Sequence, residues 1–122
     1  MQHELRLLLG YYPKLHEEPH IDGFFVTLVR DNMPSLTAAT QQKGMLSVRE
    51  CGNLADAMAN IGYAAEAMGY PVVKATLDDI RAELPREAKA ITPKQRVRIA
   101  GRLSPAQALI RDMICLAETG AI

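Results

Sequence analysis

Residues 47–69, SVRECGNLADAMANIGYAAEAMG, hold both ends of a helix and the pattern of its faces. Ser47 and Glu50 stand at the spacing of a capping box, in which the serine hydroxyl accepts from the Glu50 N–H while the glutamate side chain accepts from the serine N–H. Leu46 and Cys51 flank the cap where a hydrophobic staple would close it. At the far end Gly69 supplies a left-handed stop after Met68, with Pro71 just beyond. The spacing predicts a helix over 48–68, about 30 Å long at 1.5 Å per residue and the longest in the chain.

Its faces carry more information than its length. Cys51, Leu54, Met58, Ile61, Ala65 and Met68 recur at steps of three and four, a heptad-like seam, and Gly52, Ala55, Ala59 and Gly62 form a second stripe beside it. Glycine inside a helix costs up to about 1 kcal/mol relative to alanine, so two on one stripe imply a close backbone neighbour. That neighbour is a helix of the same chain or of a second copy. Gly52, Ala55, Met58, Ala59, Ile61 and Gly62 are therefore the candidate partner interface, against the plainer reading of a central helix buried in a single-chain bundle.

Outward from this helix the chain keeps reading as helical. Upstream, Pro34 suits the first position of a segment PSLTAATQQK closed by Gly44, unless one longer helix bends at the proline. Before it, Asp22 can cap GFFVTLVRDN, although its β-branched and aromatic residues would also suit a strand. Leu5, Leu8 and Leu9 mark a short first helix over 2–9, bounded by Gly10 and Pro13. Downstream, PVVKA (71–75) reads as an extended link, Thr76 as the cap of LDDIRAEL, and Thr92-Pro93 and Ser104-Pro105 as two successive helix starts. The last helix, 105–118, ends at Gly120 and is apolar around most of its circumference. The expected architecture is all-α, a compact bundle of five or six helices in one domain spanning 1–122.

Composition narrows the function. A chain of 122 residues buries roughly two-thirds of its unfolded surface, enough for one core. Fourteen basic residues balance fourteen acidic ones, so no overall field draws the molecule to nucleic acid or membrane. Cys51 and Cys115 lie amid apolar neighbours, outside any C-x-x-C pattern, and read as reduced core residues. The apolar run near the start is too short for a signal sequence, and no stretch approaches a membrane span. A cytoplasmic location is the default expectation.

The string HEEPH at 16–20 matches H-E-x-x-H, which announces a zinc hydrolase when it lies on a helix. Pro19 between His16 and His20 opposes that: inside a helix it removes a backbone bond, costs about 3 kcal/mol and pushes Glu18 from the α region. The remaining histidine, His3, lies upstream, so a third ligand would have to be a carboxylate such as Asp22 or Asp31. The segment reads instead as a polar loop, with no metal or cofactor expected. Glycine-rich phosphate loops, nucleophile elbows and cysteine–histidine pairs are missing, and the paired acids Glu17-Glu18 and Asp78-Asp79 read as solvated.

One basic stretch stands out. From Arg86 to Arg102 six basic residues face a single acid, Glu87. On a helix starting at Pro93, Lys94, Arg98 and Arg102 form one row, a candidate contact for a polyanion or an acidic protein surface. No aromatic residue interleaves the row for base stacking, and the sequence pI is about 6.8. Tyr11-Tyr12 and Phe24-Phe25 would anchor the N-terminal segment to the bundle or serve as anchors for a partner. The functional expectation is a non-enzymatic protein-binding module: a regulator, adaptor, inhibitor or small subunit acting through an apolar helix face, as a homodimer or in a larger complex. The alternative is a nucleic-acid-associated protein contacting phosphates through the row at 94, 98 and 102.

Overall fold

The computed structural model describes residues 19–41, 46–85 and 90–119. Those residues form four helices, α1 (Pro19–Gln41), α2 (Val48–Ala67), α3 (Pro71–Arg81) and α4 (Pro93–Thr119), with no strand. The all-α class agrees with the sequence reading; the count of five or six does not. The expected helix over 2–9, with Tyr11 and Tyr12, lies outside the described residues.

Two prolines read as helix starts lie inside helices and lower the count, a third moves a helix start without changing it, and the expected helix over 2–9 is outside the described residues. Pro34 and Pro105 both lie inside continuous helices, so the two starts read at Pro93 and Pro105 are one helix of 27 residues. α2, at 20 residues, is consequently shorter than α4 and than α1 at 23, and is not the longest. Apolar packing along α1 and α4 outweighs the single backbone bond each proline removes. Pro71, the third, takes the first position of α3, where its missing N–H would have had no helical partner. PVVKA is therefore helical and not an extended link. Thr76 sits mid-helix, its hydroxyl donating to the Val72 carbonyl at 2.9 Å in place of capping anything. α1 likewise begins at Pro19, ahead of the cap expected at Asp22, and 24–29 is helix.

The ends of α2 match their sequence signals. The Glu50 N–H donates to Ser47 Oγ at 3.1 Å, and the Ser47 N–H donates to Glu50 Oε1 at 3.1 Å. At the C-terminus the Gly69 N–H donates to Glu66 at 3.0 Å and the Tyr70 N–H to Ala65 at 2.8 Å, the paired bonds of a Schellman motif. Gly69 adopts φ 92°, a left-handed angle that a side chain disfavours. The chain then enters α3 within two residues, and Tyr70, at the corner, is buried.

The helices pack in a ring: α1 against α2, α2 against α3, α3 against α4, and α4 back against α1. α1 and α4 are antiparallel, since Arg30 pairs with Glu118, Thr37 accepts from Gln107, and the carbonyls of Ala38 and Ala39 accept from Arg96. At the end of the bundle where α2 and α4 begin, Leu46 and Ile91 exchange backbone bonds of 3.1 and 2.9 Å, tying the starts of the two helices together. The core contains Val29 and Leu36 from α1, Leu54, Met58 and Ile61 from α2, Leu77 and Ile80 from α3, and Leu103, Ile110 and Met113 from α4. Burying each such side chain stabilises by roughly 1.5–3 kcal/mol, which explains why four amphipathic helices close on one another.

Candidate functional site

The residues expected at an interface fall into three environments. Met58 and Ile61 are fully buried in the chain's own core. Gly62 is buried too, and a Cβ there would meet Lys74 Cγ of α3 at 3.5 Å, an ordinary contact, so the close neighbour on this part of the stripe is a helix of the same chain. Gly52 faces open space, while Ala55 and Ala59 are half-buried.

The apolar surface left over lies elsewhere. Phe24 on α1 is 64% exposed and Tyr63 on α2 is 61% exposed, and the buried ring of Phe25 lies between them. Edge-to-face contacts run from Phe24 to Phe25 at 5.2 Å and from Phe25 to Tyr63 at 5.7 Å. Edge-to-face packing at these separations is favourable, so each exposed ring is braced by the one beneath. Asn60 donates to Asn32 at 3.1 Å and Asn32 donates to the Leu28 carbonyl at 2.7 Å, which fixes α1 and α2 side by side. Phe24-Phe25 stands out in the sequence as an aromatic pair; Tyr63 does not, its only signal being an aromatic residue off the apolar seam, next to Gly62. Among the described residues the other exposed large apolar side chains, Val48, Val72 and Val97, are scattered over three helices, as on most protein surfaces.

The basic row lies on one face of α4, with all three residues exposed but Arg98 and Arg102 already engaged by an in-chain carboxylate. Glu83, in the connection after α3, lies across it. Arg98 Nη2 meets Glu83 Oε1 at 3.1 Å and Arg102 Nη1 meets Glu83 Oε2 at 2.6 Å. Lys94, one turn earlier, is exposed. Arg96 departs from the basic surface altogether: it is 4% exposed, donating from Nε to the Ala39 carbonyl at 3.2 Å and from Nη2 to the Ala38 carbonyl at 3.0 Å. These are carbonyls of the last turn of α1, which have no partners within the helix, and a cation there also meets the negative end of the helix dipole.

α4 is itself capped reciprocally. The Gln95 N–H donates to Thr92 Oγ1 at 3.2 Å, and the Thr92 N–H donates to Gln95 Oε1 at 3.1 Å. The T-x-x-Q signature of this second capping box stands in the sequence beside the Thr-Pro start.

Protonation states follow local contacts. The backbone and hydroxyl of Ser47 hold the Glu50 carboxyl below its ordinary range, with Arg96 adding a smaller attraction. Desolvation pushes the Cys51 thiol up. Cys51 is buried as expected, whereas Cys115 is exposed on α4 and is not a core residue. Asp78, accepting from Lys74 at 2.6 Å, raises that ammonium, and Glu66 lies on its other side at 3.9 Å. Asp78 is thus engaged on α3, while Asp79 is exposed. Among the described residues no group of three or more His, Cys, Asp or Glu is placed to hold a metal ion, and no helix is long and apolar enough to cross a membrane. His16, Glu17 and Glu18 of the HEEPH string lie outside the described residues; Pro19 and His20 open α1. No family model, curated protein or solved structure matches this chain.

Proposed function

We propose that this chain is a small helical protein-binding module, a regulator, adaptor, inhibitor or minor subunit of a cytoplasmic assembly, working as a homodimer or within a larger complex and catalysing no reaction. The observation that carries the reading is the aromatic pair Phe24 and Tyr63, two large rings on adjacent helices, exposed together and braced on a buried third. Binding energy at protein interfaces concentrates in a few aromatic and arginine anchors, and tyrosine combines an apolar body with a polar tip suited to that role. The apolar face is then the Phe24–Tyr63 junction, since Met58 and Ile61 are occupied by the core.

Immobilised native protein and a Phe24→Ser/Tyr63→Ser variant, exposed to nuclease-treated lysate, test the reading. The native chain should retain a protein that the variant does not, since an anchor of this kind is worth about 2 kcal/mol or more. Equal retention by both would refute this face. Nucleic-acid binding is the weaker reading, because Glu83 already neutralises part of the row at 94, 98 and 102.

A further inference from the structure

Glu83 holds an unusual position for a surface acid. Its Oε2 is shut off from solvent and meets Arg102 Nη1 at 2.6 Å, yet no aligned hydrogen bond joins them. A guanidinium prefers the coplanar, two-pronged grip on a single carboxylate; here two guanidiniums, one turn apart on α4, each touch one oxygen of the same carboxylate. The triad keeps one net positive charge, and Lys94 adds another a turn away. Beside it opens a small hollow whose walls include Pro85, Ile91 and Ile99.

We infer that Glu83 is an in-chain stand-in for a carboxylate of an acidic protein segment, and that such a segment docks along Lys94, Arg98 and Arg102 by displacing it. The seat already accepts a carboxylate, so the chemistry of the incoming group is the one present. The incomplete geometry of both contacts and the exposure of Arg98, 77% at its side chain, let Glu83 be displaced from the Arg98 side, where the ion pair is in contact with water and weakly held, while Oε2 on the Arg102 side is shut off from solvent. The hollow is lined by Gln95 and the ion-paired Glu83 and Arg98 as well as by three apolar residues, so it favours a peptide that mixes acidic and apolar residues. A phosphodiester strand fits less well, because no aromatic ring interleaves the row to stack its bases. This surface is separate from the Phe24–Tyr63 face and does not depend on it.

Binding of a capped EELEEL peptide, measured at low salt by fluorescence anisotropy beside an oligothymidylate of equal charge, tests the inference. Glu83→Gln should bind the peptide about five-fold more tightly than the native chain, the combined effect of releasing its two weak ion pairs. Adding Arg98→Gln to that variant should reverse the gain. Unchanged or weaker peptide binding by Glu83→Gln overturns the inference, as does a preference for the oligothymidylate. If circular dichroism shows Glu83→Gln to be unfolded, Arg98→Gln alone decides: it should weaken peptide binding by the native chain, and no change overturns the inference.

Discussion

Arg96 reaches from the first turn of α4 to the Ala39 carbonyl in the last turn of α1, 3.2 Å from Nε, so that the start of one helix closes the end of another. Its second bond, from Nη2 to Ala38 at 3.0 Å, makes the contact a two-point clamp. Replacing Arg96 by methionine keeps much of its apolar stem but strands the buried Ala39 carbonyl and the half-buried Ala38 carbonyl at the end of α1. A hydrogen bond from a charged donor contributes about 1.5–3 kcal/mol, so Arg96→Met should lower unfolding free energy by about 3 kcal/mol in a urea titration. Arg96→Lys should recover less than half, because an ammonium lacks the planar fork. A loss within about 0.5 kcal/mol for Arg96→Met would mean that the clamp is dispensable.

Ser47→Ala should cost about 1 kcal/mol, the usual worth of an N-cap. It should also change the pH dependence. The Glu50 carboxyl is held below its ordinary value of 4.5, first by the Ser47 backbone N–H, which alanine keeps, and then by the Ser47 hydroxyl, which it removes; the carboxyl's contribution is complete above that value and lost as pH falls through the lower folded one. Acid titration of stability should therefore be shallower below pH 4.5 in Ser47→Ala than in the native chain. Identical slopes would contradict a share of the Ser47 hydroxyl in holding the Glu50 carboxyl down.

Gly69→Ala should destabilise by about 1–2 kcal/mol, because a side chain at φ 92° meets the following carbonyl. Thermal melts of the variant check this. An unchanged midpoint would mean that α2 ends otherwise.

Pro105→Ala distinguishes one long α4 from two helices. In a continuous helix the proline removes a bond to the Gly101 carbonyl and presses on that turn, a penalty of up to about 3 kcal/mol. Alanine should then raise stability. At the first turn of a separate helix, proline is favourable and alanine would be neutral or worse.

These positions also separate what the sequence states from what only the fold reveals. The box at Ser47–Glu50 and the stop at Gly69 involve partners within a few residues, so their chemistry is complete in the local string. Pro34 and Pro105 mislead for the same reason. Locally a proline after serine, or after a polar stretch, signals a start, whereas its tolerance mid-helix depends on the burial of neighbours such as Leu36 and Leu103 among residues distant in sequence. Arg96 and Glu83 are illegible in the stronger sense: their partners lie 57 residues away at Ala39 and 15 and 19 residues away at Arg98 and Arg102. Charge counting assigns Arg96 to a basic surface, although the fold turns it inward. Tyr63 escapes a search for buried seams, because an exposed anchor lies off the seam by definition.

Light scattering of the freshly purified protein tests the central claim most directly. The expected mass is above that of the 13.4 kDa chain, from self-association or a copurified partner, and falls to the monomer value in Phe24→Ser/Tyr63→Ser while its helical circular dichroism is unchanged. A native protein at 13.4 kDa throughout, with nothing bound and no difference between the two, would contradict it.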